Sequence, residues 1–173
     1  MTLNTAVETE AIAQNTESIV IGMGEIHISN IQSTVLSCIG LGSCVAVCLY
    51  DRQAKVGGMV HVVLPRNNGT TNDNRAKFAD SAVPLMLEKI RKKGGETKRL
   101  IAKIAGGAHM TIAPGLKNTF KTGEHNIAEV IAALEREGIP LKGNDTGGNR
   151  GRTVHMYLDT GRITVRIIGE ATR

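Results

Sequence analysis

The sequence predicts an α+β fold, with a mixed, largely antiparallel β-sheet or β-sandwich core and two main helices packed outside it. Three observations carry the prediction. Runs of β-branched residues dominate both ends of the chain, two segments between them repeat apolar residues at helical spacing, and glycine or proline stops most of these runs.

In chain order, residues 1–18 are polar, hold no Lys or Arg and show no sustained apolar period, which marks a flexible tail before a single domain over 19–173. Ser18-Ile19-Val20-Ile21 opens the β-rich region. Thr34 to Ile39 is a strand that Gly40, Gly42 and Ser43 interrupt; Cys44 to Tyr50 and Val56 to Leu64 are two more, the second ended by Pro65. An exposed loop rich in Asn, Gly and Thr fills the stretch to Arg75. A helix follows over Ala79 to Lys93, with Val83, Leu85, Met86, Leu87 and Ile90 as its apolar face and Gly94-Gly95 as its stop. Pro84 fits that helix only if the first turn starts near Ser81 or Ala82. Arg99 to Ala105 reads as a buried strand running into Gly106-Gly107. Asn126 to Glu137 carries Ile127, Val130, Ile131 and Leu134 at helical spacing before Gly138 and Pro140. Thr153 to Leu158 and Arg162 to Ile168 make a hairpin about Asp159-Thr160-Gly161, with His155 alternating outward.

Composition narrows the function. A chain of 173 residues with 41% apolar and 21% charged side chains suits one globular domain with its own core. The net charge of +5 is dispersed, and its densest group, Arg91-Lys92-Lys93, closes a helix, where cations complement the dipole. Two Phe, two Tyr and no Trp leave few rings for stacking bases, which speaks against nucleic acid as a partner. No apolar run reaches the roughly 18 residues of a membrane span. The N-terminus lacks the basic start and apolar centre of a signal peptide, so the expected location is the cytoplasm, where Cys38, Cys44 and Cys48 stay free thiols.

The chemistry gathers around Gly40-Leu41-Gly42-Ser43-Cys44 and His61. Glycines beside a thiol let main-chain N–H groups come close to a substrate, so the loop at Gly42 and Ser43 can hold an oxyanion. A hairpin with Tyr50 opposite Lys55 puts Cys44 directly across from His61, with Cβ atoms about 4.5–5.5 Å apart. A cysteine beside an imidazolium is held as thiolate. The competing reading is a cysteine that fills the apolar face of a strand, which is the reading preferred for Cys48. Cys38, Cys44, Cys48 and His61 offer four zinc ligands, but their cysteine spacing follows no common zinc pattern. His27, His109, His125 and His155 read as solvent-facing or locally bonded. The Gly-rich stretch Asp145 to Arg152 is either a wide turn or, through Asn149, Arg150 and Arg152, a substrate or partner contact.

Four stretches resemble the CheD family of chemoreceptor glutamine deamidases. They are Gly40-Leu41-Gly42-Ser43-Cys44-Val45-Ala46-Val47; Gly57-Gly58-Met59-Val60-His61 with Leu64-Pro65; Lys103-Ile104-Ala105-Gly106-Gly107-Ala108; and Asp145-Thr146-Gly147-Gly148-Asn149-Arg150-Gly151-Arg152. The resemblance implies a thiol-dependent protein-glutamine glutaminase, with Cys44 as nucleophile, His61 as base and no metal or organic cofactor. Its substrates would be glutamines on the cytoplasmic helices of methyl-accepting chemotaxis receptors, hydrolysed to glutamates. The resemblance also implies a catalytic threonine six positions before the nucleophile. This sequence has Cys38 there, a poorer hydrogen-bond partner, with Ser37 or Ser43 as stand-ins. The family tends to bind a CheC-type phosphatase, and a chain weakened by Cys38 would serve chiefly as an adaptor for that phosphatase or for the receptor. A third reading is an esterase or amidase acting on other acyl groups.

Overall fold

Nine strands and two α-helices form among the described residues, which are 16–69, 74–110 and 121–169 of the computed structural model. β1 (Glu17–Val20), β3 (Thr34–Leu41), β8 (Arg152–Tyr157) and β9 (Arg162–Ile167) build a four-stranded sheet in the order β1-β3-β8-β9. β2 (Ile26–Ser29), β4 (Val45–Asp51), β5 (Val56–Val62), β6 (Leu100–Gly106) and β7 (Leu141–Thr146) build a five-stranded sheet in the order β2-β5-β4-β6-β7. Only β1–β3 and β6–β7 pair in parallel, so the core is mixed and largely antiparallel as expected, and of the two alternatives, sheet or sandwich, the sandwich forms.

The two sheets meet over Leu36, Cys38, Ala46, Cys48, Met59, Val154 and Met156. The other face of the five-stranded sheet packs Val45, Val47, Leu49, Val60 and Val62 against α1 (Ala79–Lys92) and α2 (Thr122–Arg136). β4 is covered on both sides and buried at every position, which is why it reads as an unbroken apolar run. Among the described residues no helix is long and apolar enough to cross a membrane.

Several boundaries differ from the sequence reading, each for a physical reason. α1 begins at Ala79 as read, so Pro84 lies well inside it and the expected start of the first turn near Ser81 or Ala82 does not hold. An interior proline costs about 3 kcal/mol, yet Val83, Met86, Leu87 and Ile90 are all buried on this helix, each contributing roughly 1.5–3 kcal/mol. Packing wins. α2 starts four residues earlier than expected, at Thr122. Gly123 lets its first turn press onto the β6 end: a Cβ there would lie 2.6 Å from the Gly107 carbonyl oxygen and 2.7 Å from that of Ala108. β1 starts at Glu17, inside the expected tail, whose residues 1–15 lie outside the described residues. So do residues 70–73 of the Asn- and Gly-rich loop.

The β4–β5 hairpin also closes differently. Asp51 pairs with Val56 and Tyr50 with Gly57, not with Lys55. The Asp51 carboxylate accepts the N–H groups of Gln53 and Ala54, both at 3.0 Å, and Lys55 takes the left-handed conformation, φ 53°. The four-residue loop therefore slides one position along the chain. The register moves by two, and Ala46, rather than Cys44, faces His61. An even shift keeps every side chain on its expected face.

Candidate active site

β3 leaves one sheet and β4 enters the other within Gly42–Cys44, so this loop is the bridge between sheets at one end of the sandwich. β3 prepares the crossing with a bulge: its pairing with β8 slips between Cys38 and Leu41, and Gly40 holds φ +68°. Leu41 returns to the core, fully buried, and Cys44 is left half-buried against the inter-sheet cluster.

Three successive carbonyls of this loop are held from outside. Ala108 N–H donates to Gly42 O at 2.8 Å, Asn126 Nδ2 donates to Ser43 O at 3.0 Å, and Gly107 N–H donates to Cys44 O at 2.8 Å. Across a trans peptide the C=O and the next N–H point in opposite directions. Pinning Gly42 O and Ser43 O therefore turns the amides of Ser43 and Cys44 the other way, and neither donates to any described residue.

His61 sits on β5 with its side chain on the same inter-sheet face as Ala46 and Cys44. With Ala46 opposite it, Cys44 is the diagonal neighbour, a relation that sets Cα atoms about 7–8 Å apart in a regular pair. The ring is buried, 6% exposed, and Nδ1 lies 3.1 Å from the carbonyl oxygen of Ile21. A carbonyl only accepts, so Nδ1 carries the proton and Nε2 of the neutral ring is the free base. The main chain holds the residue on both sides: His61 N–H donates to Glu25 O at 3.1 Å, and Gly24 N–H donates to His61 O at 2.9 Å.

Burial pushes the Cys44 thiol above its ordinary range. Burial also pulls the His61 imidazole below its ordinary value, against smaller upward contributions from the Ile21 carbonyl and the Glu25 charge. Each shift disfavours the charged form of its own group.

The remaining expected residues divide. Cys38 is fully buried between the sheets with Sγ 3.3 Å from Met59 Sδ. Burial, helped by the neighbouring Cys44, pushes its thiol to about 12. Ser37 points to the other face of β3, where its hydroxyl meets His155 Nδ1 at 2.6 Å, so it is no stand-in at His61. The ring's orienting partner in the structure is the Ile21 carbonyl. Cys38→Thr is therefore expected to change turnover by less than about threefold beside wild type; a gain of about tenfold or more would assign the orienting role to position 38.

Arg152 does not reach outward. Its guanidinium is buried and donates to Asp145 Oδ1 at 3.0 Å and Gly147 O at 2.8 Å, locking the Gly-rich loop from inside. That loop is tied to the β6 end by Gly147 N–H to Gly106 O at 3.0 Å and His109 N–H to Gly148 O at 2.8 Å. Of the three expected contact residues, Asn149 and Arg150 are the exposed ones. Four motifs far apart in sequence thus meet in one corner. Gly106 is fixed there by necessity: at φ +114° its Cβ would run into the Cys44 carbonyl oxygen.

Sequence reasoning missed Ile21, Glu25 and Asn126. The first two act through main-chain atoms or charge, which no side-chain pattern announces. Asn126 left a signal, since it stands on the same helical stripe as Val130, Ala133 and Leu134.

Chemically, this corner has the equipment of a thiol-dependent hydrolase. The CheD family model, described as CheD chemotactic sensory transduction, matches residues 63–167. The chain is 44% identical over 150 residues to the "Chemoreceptor glutamine deamidase CheD" of Thermotoga maritima, a match covering 87% of this chain and 92% of that protein. It is 40% identical over 154 residues to the "Probable chemoreceptor glutamine deamidase CheD" of Caldanaerobacter subterraneus, covering 88% and 94%. The protein of that same name from Desulfitobacterium hafniense is 40% identical over 153 residues, covering 88% and 95%. The matches to these three relatives are long enough to span both Cys44 and His61, whereas the family-model match begins just past them. The chain belongs to the CheD family.

Proposed function

We propose that this protein is a protein-glutamine deamidase that hydrolyses glutamine side chains on the cytoplasmic helices of chemotaxis receptors to glutamates, working in the cytoplasm. The observation that supports it most is the His61 ring, its Nδ1 held by a main-chain carbonyl on the face it shares with Cys44, in a chain 44% identical to a named glutamine deamidase.

The thiol sulfur of Cys44 attacks the substrate carboxamide carbon while its proton passes to His61 Nε2. The carbonyl oxygen becomes an oxyanion, received by the amides of Ser43 and Cys44. Collapse breaks the carbon–nitrogen bond, and His61 returns the proton to departing ammonia. Water then gives a proton to His61 and its oxygen to the thioester carbon, releasing glutamate and the Cys44 thiol. No step calls on a metal or organic cofactor. The adaptor reading drew its force from Cys38; with Ile21 orienting the ring, that residue does not by itself weaken the site. A CheC-type phosphatase as partner rests on the family resemblance alone and is compatible with a working deamidase.

The test is incubation with receptor cytoplasmic fragments, reading Gln-to-Glu mass shifts and ammonia. Catalysed shifts are expected; their complete absence with fragments carrying unmodified glutamines would overturn the reading. The pH dependence is specific. The imidazole must be neutral to act, so kcat/KM is expected to fall on the acid side with a midpoint below 6.5, the ordinary value. Glu25→Gln removes an upward influence and moves that midpoint lower still. The same shift affects stability: unfolded His61 binds a proton more readily than folded His61. Its contribution is complete above 6.5 and lost as pH falls through the folded value.

A further inference from the structure

Asn126 is completely buried in the first half of α2, and its side-chain nitrogen donates twice, to Ser43 O at 3.0 Å and to Val63 O at 2.9 Å. Ser43 immediately precedes the thiol, and Val63 lies just past the imidazole on the other strand. We infer that Asn126 is the positioning residue of the pair, setting the separation of Cys44 and His61 through one carboxamide; this rests on reading that pair as catalytic.

The sheet explains why a bridge is needed. The β4–β5 ladder ends at the Val45–Val62 pair, so Cys44 lies one residue past the last rung. Beyond that rung the two chains part toward different partners: Cys44 O bonds Gly107, while Val63 N–H and Leu64 N–H turn to Lys77 O. Gly107 and Ala108 fix the thiol loop against β6 but leave its distance from the β5 end open. Asn126 joins the two directly.

The residue type fits the task. Two carbonyls can only accept, and a carboxamide nitrogen offers two N–H donors from one atom. A carboxylate offers none and a hydroxyl one. The same side chain carries a defect that packing alone does not explain: Oδ1 is buried with no partner among the described residues. On a stripe continued by Val130, Ala133 and Leu134, an apolar residue would avoid that orphan.

The experiment compares Asn126→Asp, which keeps the shape but sets oxygen against two carbonyl oxygens, with Asn126→Ala and with Val130→Ala, a packing control on the same helix face. Two readouts are taken on the folded full chain. One is the kcat and KM of receptor-fragment deamidation. The other is the pH profile of iodoacetamide alkylation at Cys44, the accessible thiol, since Cys38 and Cys48 are buried. Both Asn126 variants are expected to lower kcat by about a hundredfold, with KM within about twofold, and to bring the alkylation profile to that of His61→Ala. Val130→Ala is expected to lower the melting temperature and leave both readouts at wild type. Should Asn126→Asp fail to fold, Asn126→Ala decides alone. A wild-type alkylation profile in Asn126→Ala, or an equal kcat loss in Val130→Ala, overturns the inference. An inactive Cys44→Ala beside a fully active Asn126→Ala removes the inference and leaves the deamidase reading intact; an active Cys44→Ala removes Cys44 as nucleophile and the inference with it, while absent Gln-to-Glu shifts in the wild type remove the deamidase reading.

Discussion

Cys44→Ala is expected to reduce receptor deamidation by at least about a thousandfold, because no other group can form the thioester. The competing thiols are out of reach. Cys38 and Cys48 are 0% and 3% exposed, and burial drives both far from ionisation. The fold should tolerate the change. Cys44 is half-buried and stands one residue outside the β4 ladder, while the bonds that shape its loop all go to main-chain oxygens. Far-ultraviolet circular dichroism and the melting temperature should stay at wild type as ammonia release disappears. Substantial residual activity in a well-folded Cys44→Ala protein would mean that the chemistry is done elsewhere.

The largest expected loss of stability comes from Asp51→Ala, at the opposite end of β4. Asp51 is completely buried. Its carboxylate accepts N–H groups from Gln53, Ala54 and Glu96 and pairs with Arg99 at 2.9 Å, joining the hairpin turn to the segment before β6. Burial alone would raise its pKa; the Arg99 side chain and the N–H groups of Ala54 and Glu96 outweigh it and hold the group at about 2, against an ordinary 3.8. Alanine leaves those donors orphaned beside a partly covered cation, a loss of about 3–5 kcal/mol, or roughly 10 °C in melting temperature for a chain of this size. The pH dependence has a definite sign. A depressed carboxylate stabilises the fold above its unfolded pKa, so this contribution, about 2 kcal/mol, is complete above 3.8 and lost as pH falls toward 2. Denaturant midpoints of wild type and Asp51→Asn across that window should therefore converge on acidification. Parallel curves would show that the carboxylate charge contributes nothing.

Much of the architecture was legible because it is written in side-chain periods. Val154, Met156 and Leu158 announced β8 by alternation, and Ile127, Val130, Ile131 and Leu134 announced α2 by helical recurrence. β7 escaped because it lies at a sheet edge, held by main-chain pairing with β6, so Leu141 to Thr146 needs no apolar face. β2 escaped because four residues show no period against noise. The start of α2 escaped because Thr122 to His125 are selected by what Gly123 must touch, and not by helix chemistry.

By itself, the sequence determined the α+β, two-helix class, the two reactive residues to weigh and the strand parity that sets them on one face, because burial and alternation are local properties of side chains. Tertiary structure alone decided the rest. It moved the hairpin register by two through Asp51 and Lys55, gave the Ile21 carbonyl to His61, and buried the thiol and the imidazole so that the charged form of each is disfavoured. Hydrogen bonds from main-chain atoms and the dielectric around a buried ring depend on segments brought together only by folding, and no side-chain pattern records them.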